Sequence, residues 1–86
     1  MTGLARALIT AVAFLELSDD SVLDGDAAVE VLEEVGAVLA RCTPQEINSL
    51  KRTLGRMHAT EQLNEARPEV LEFYETFLSA FGLDEE

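Results

Sequence analysis

Residues 43–57 read TPQEINSLKRTLGRM, and the first four carry the clearest structural signal in the chain. Thr43 has the short hydroxyl side chain of a helix N-cap. Pro44 fits the first helical turn, where its missing N–H is no loss. Glu46, three residues on, can return a bond to the Thr43 backbone and close a capping box. The helix that follows places Ile47, Leu50, Leu54 and Met57 on one side at helical spacing. Gly55 and the HAT of residues 58–60 leave two outcomes, a single long helix or a helix that stops before Glu61 and restarts.

Working outward, Pro68 in RPE (67–69) opens a last helix whose apolar stripe is Val70, Phe73, Tyr74, Phe77 and Phe81. Gly82 is its natural C-cap, with Leu83 packing back. Upstream, a helix from about Asp24–Asp26 to about Arg41 carries Ala28, Leu32, Val35 and Leu39 inward, with the early acids at the positive end of its dipole. Gly36 costs that helix about 1 kcal/mol relative to Ala, which a close helix crossing would explain. The first segment, 3–17, aligns Leu4, Leu8, Ala11, Val12 and Leu15, while Ile9, Phe14 and Leu17 fall outside the stripe. A helix apolar on more than one side sits centrally in a bundle or at a dimer contact. No strand pattern, repeat or low-complexity tract interrupts this sequence. The expected fold is therefore all-α, one domain over residues 1–86, a compact bundle of four short helices or five if the third one breaks.

Seventeen acidic residues oppose six basic ones, for a net charge of −11. Such a chain repels nucleic acid and anionic membrane and favours cationic partners, although net acidity also serves plain solubility. The charge is polarised. Residues 16–34 hold Glu16, Asp19, Asp20, Asp24, Asp26, Glu30, Glu33 and Glu34 with no basic residue. Residues 35–68 are slightly basic, and six more carboxylates follow from Glu69. One cysteine, Cys42, excludes an intrachain disulfide and fits a reducing compartment. The stretch LARALITAVAFL (4–15) resembles a secretory signal only superficially, because Glu16 and the acidic loop follow with no small-residue cleavage site. No run approaches the roughly 18–20 apolar residues of a membrane span. A core helix at the N-terminus and a cytoplasmic protein are the expectations.

The stretch LSDDSVLDGDAAVEVLEEVG (17–36) offers three readings. A calcium loop with its glycine at Gly25 would start at Asp20, but then Val22 takes the third position and Val31 the twelfth, where ligands are required. A carrier-domain reading uses Ser21 of DSV as the attachment point for a phosphopantetheine arm, with Gly36 behind EEV closing the following helix. Acyl carrier proteins are acidic four-helix domains of similar length. Against this, LDGDAA places charge and glycine where that family's helix is apolar, and the chain after Gly36 continues into more helix. The third reading is an acidic turn and helix face.

Catalytic chemistry has little support. His58 and Cys42 are the sole histidine and thiol, too few for a zinc site of about four ligands. No phosphate loop or nucleophile elbow is present. Lys51, Arg52 and Arg56 cluster on the third helix, but three charges without interleaved aromatics make a poor nucleic-acid patch. They suit pairing with the acidic second helix or with a second copy. No catalytic residue, cofactor or metal is expected.

Phe14–Glu46 (FLELSDDSVLDGDAAVEVLEEVGAVLARCTPQE), together with Phe73–Leu83 (FYETFLSAFGL), resembles the small helical immunity proteins that accompany bacterial polymorphic toxins. The shared features are the turn into helix two, the TPQE cap of helix three and a short aromatic last helix. The resemblance implies a non-enzymatic antitoxin that neutralises a cognate protein toxin by binding it, often across its active-site mouth. Toxins acting on nucleic acid have basic clefts that an acidic helix face can fill. Asp19, Asp20, Asp24, Asp26, Glu30 and Glu33 would then supply the contact surface, with Val22 and Leu23 as apolar anchors. No direct nucleic-acid or membrane contact is implied, and a helical homodimer of structural or regulatory role stands as a further alternative.

Overall fold

The structure, a computed structural model, describes residues 2–83. Asp84, Glu85 and Glu86 of the acidic tail lie outside the described residues. Four helices follow one another with short connections: α1 Thr2–Leu17, α2 Gly25–Leu39, α3 Pro44–Leu63 and α4 Pro68–Ala80. The bundle is all-α, as the spacing of apolar residues requires. Among the described residues, no helix is long and apolar enough to cross a membrane.

The helix ends follow from the residues that close them. The Thr43 hydroxyl accepts from the Glu46 N–H at 3.2 Å, and the Thr43 N–H donates to Glu46 Oε1 at 2.8 Å, completing the capping box. α3 then runs through Gly55 and His58 without interruption, so the bundle has four helices among the described residues. Gly82, at φ 68°, terminates α4. Its N–H donates to Ser79 O and the Leu83 N–H to Leu78 O, the paired bonds of a Schellman motif. The α3–α4 turn is held differently, with the left-handed residue Ala66 (φ 50°) donating its N–H to Glu61 O.

Ile9, Val12, Leu39, Leu50, Leu54, Phe73 and Phe77 form the core. Phe77 stacks edge-on against Phe73 and tilts against Phe81, so the aromatic stripe of α4 acts as one packed column. α1 lies close to all three other helices and α3 pairs closely with α4, whereas the backbone of α2 approaches α1 and its Leu39 side chain reaches the core shared with α3 and α4. A second hold on α2 comes from Phe81, whose ring lies over Gly36: a Cβ built there would stand 3.2 Å from Phe81 Cδ1. Gly36 thus accommodates a ring from the end of α4 and not a helix crossing.

α1 is rotated from the sequence expectation. Ile9 is fully buried and Val12 nearly so, with Ala5, Leu8 and Ala13 packed beside them. Leu4, expected inside, is 65% exposed, and Ala11 is exposed as well. With apolar residues around almost the whole helix, periodicity alone leaves its phase undetermined.

Candidate partner-binding surface

Of the eight residues expected to form a contact surface, the structure assigns local duties to some and leaves others facing solvent. Asp24 is the N-cap of α2, its Oδ2 accepting from the Ala27 N–H at 3.2 Å. Asp19 organises the preceding turn. Its Oδ1 accepts from both the Ser21 N–H at 3.1 Å and the Ser21 hydroxyl at 2.6 Å. These bonds favour the charged form and hold the Asp19 carboxyl below its ordinary range. Asp20 leans toward Gly25, its Oδ1 standing 3.5 Å from where a Cβ would be. Leu23 is half-buried, whereas Val22 is 63% exposed.

Asp26, Glu30 and Glu33 lie on α2 at successive turns. At 100° per residue they point directly away from the buried Ala28 and Leu39. All three are exposed. Glu30 and Glu33 share a shallow depression with Glu34 and Ala37. Glu34 was absent from the expected contact set, although its spacing four residues after Glu30 puts it on a neighbouring face. Among the described residues, no lysine or arginine pairs with any of these carboxylates. Lys51, Arg52 and Arg56 sit on α3 and, among the described residues, make no ion pair with α2. Among the described residues, the acidic strip is therefore left without a paired cation.

Ser21 lies in the turn ahead of the Asp24 cap and not on the helix itself, with its hydroxyl already donated to Asp19. Among the described residues, no group of three or more histidine, cysteine or carboxylate side chains is arranged to hold a metal.

Two further clusters went unread in the sequence. Glu61, 9% exposed, receives Arg67 Nε at 2.7 Å, Arg67 Nη2 at 3.0 Å and the Arg67 N–H at 3.0 Å. Their bonds lower the Glu61 carboxyl to about 2 and raise Arg67 above its ordinary value. This pair pins the α3–α4 turn. His58 bonds Glu75 at 2.8 Å between the same two helices. A spacing of six residues across a proline-started helix gives no periodic cue to the first pair, and the second is a tertiary contact. Cys42 lines an apolar recess between the starts of α1 and α3, with Leu4, Leu8 and Ile47. Burial, then the negative charge of Glu46, pushes its thiol up, which disfavours the reactive thiolate.

Comparison with protein-family models, curated proteins and solved structures finds no match to this chain.

Proposed function

We propose that the protein is a non-enzymatic immunity protein that binds and neutralises a cognate bacterial toxin, acting in the cytoplasm through the acidic face of α2. One observation carries this reading: Asp26, Glu30 and Glu33 form an outward strip that, among the described residues, no lysine or arginine pairs with. In a chain of net charge −11, that strip concentrates negative potential on the helix least embedded in the bundle. A basic cleft, such as a nucleic-acid-cleaving toxin presents, is its complement in charge, and steering of this kind raises association rates by roughly 10–10³-fold. Val22, exposed at the edge of the preceding turn, supplies an apolar anchor beside the charges. Asp19 and Asp24 serve the surface indirectly by fixing the turn and the start of the helix.

The test is capture of partners by the tagged protein from extracts of its source cells, with the intact mass of the bait recorded. Support would be a single stoichiometric partner with a basic surface, whose expression alone arrests growth and whose arrest the protein relieves. Recovery of no such partner, with a bait carrying a phosphopantetheine-sized mass on Ser21, would replace this reading with the carrier one.

A further inference from the structure

We infer that the outer face of α1 is a self-association surface on which a second copy of this chain packs antiparallel, independently of the acidic face of α2. Leu4, Ala7, Ala11 and Phe14 recur at spacings of three and four residues, the seam pattern of paired helices. With Ile9 buried, 100° per residue turns these four positions outward, with Leu4 at the rim of the recess it shares with Leu8, Cys42 and Ile47. All four are exposed, Leu4 by 65% and Phe14 by 53%. A seam of this kind facing solvent is what a single bundle has no use for.

The order of the four residues selects the occupant. Reversed about Ile9, position 4 falls on 14 and position 7 on 11. A two-fold axis through that point therefore sets Leu4 of each copy on Phe14 of the other and brings the alanines together, a self-complementary contact. The two alanines at the centre allow the axes to approach to about 8 Å, while the large residues close both ends.

α2 extends the same surface. Leu8 and Leu39 line one recess, so α2 lies alongside α1 in the antiparallel sense. Phe81 over Gly36 marks the flank of α2 turned to the core. By helical spacing Val31 and Val38, 42% and 64% exposed, occupy the opposite flank, which the inference sets beside the α1 seam. About 15 Å of helix across two helix widths of ~10 Å gives roughly 300 Å² per copy, the size of a functional patch. Doubled, it is less than half of a standard interface, so the pairing is weak and depends on concentration.

Charge agrees with this placement. α1 carries only Arg6 and Glu16, so two copies can meet along it without aligning carboxylates, whereas the α2 margin of the surface holds exposed Glu34 between Val31 and Val38. Repulsion between two chains of −11 still opposes the dimer, and salt relieves it.

Sedimentation velocity from low micromolar to several hundred micromolar protein tests the inference. The wild-type mass should rise from 9.4 kDa toward twice that, more readily at high salt. Ala11→Glu and Ala7→Glu place a charge on the seam in a residue that favours helix. Each should keep the monomer's circular dichroism and abolish the rise. In a Cys42→Ser background, mixing Ala7→Cys with Ala11→Cys chains should give the mixed disulfide in preference to same-site ones. A wild-type mass that stays monomeric throughout, a dimer indifferent to both glutamates, or a predominance of same-site disulfides would overturn the proposal.

Discussion

The ring of Phe81 lies over Gly36, so close that a Cβ on the glycine would stand 3.2 Å from Cδ1. The contact joins the end of α4 to the helix that carries the acidic strip, and it explains a glycine in mid-helix. Gly55 is a useful contrast, being helical with nothing within 4 Å of its built Cβ. Gly55→Ala should therefore stabilise by about 0.5–1 kcal/mol through helix propensity alone. Gly36→Ala should gain less than Gly55→Ala, since the Phe81 ring must shift by a few tenths of an ångström, and Gly36→Leu should destabilise by about 1–3 kcal/mol through overpacking. Urea denaturation of the three variants checks the order.

The phase of α1 gives a second expectation. Ile9→Val removes one methylene from a fully buried site and should cost about 0.5–1.5 kcal/mol. Leu4→Ala, at a position 65% exposed, should stay within about 0.5 kcal/mol of wild type. Denaturation in dilute solution, where the proposed self-association is least populated, separates them; equal costs would return α1 to the phase expected from sequence.

Thr43→Ala removes the hydroxyl that accepts from the Glu46 N–H and should cost about 1 kcal/mol. In a domain of this size that is a fall of about 4–8 °C in melting temperature. Thr43→Ser, which keeps the acceptor, should lose much less.

Acid should release the α3–α4 turn. The Glu61 carboxyl is lowered from 4.5 to about 2 by Arg67. A carboxyl lowered on folding contributes stability that is present above its unfolded value and lost as pH falls through the folded one. Wild type should therefore exceed Glu61→Gln in stability near neutral pH, with the difference shrinking from about pH 4.5 to about pH 2. Because the Arg67 side chain is 51% exposed, salt should also reduce the difference. Urea midpoints of both proteins across that window make the comparison.

Much of the fold was legible because its punctuation is local. Thr43, Pro44, Glu46, Pro68 and Gly82 each act on neighbours within a few residues, and the α3 and α4 stripes stand out against polar faces. α1 was misphased because apolar residues surround it, so a choice between Leu4 and Ile9 rests on which neighbours are present. Gly36 drew notice, but its ring partner lies forty-five residues away in the chain. In the acidic stretch, sequence grouped Asp19 and Asp24 with Asp26, Glu30 and Glu33. The structure gives Asp19 and Asp24 local duties and leaves the other three facing solvent, a difference that composition does not carry because a cap, a turn staple and an exposed face draw on the same carboxylates.

The central claim rests on that face and is tested most directly by the affinity of the captured partner for wild type and for the triple variant Asp26→Lys, Glu30→Lys, Glu33→Lys, each measured across a range of salt. Wild-type affinity should weaken as salt rises, and the reversed variant, folded by circular dichroism, should bind at least about 100-fold more weakly. Equal affinity of the two proteins, unaffected by salt, would contradict the assignment of the α2 face as the surface that meets the partner.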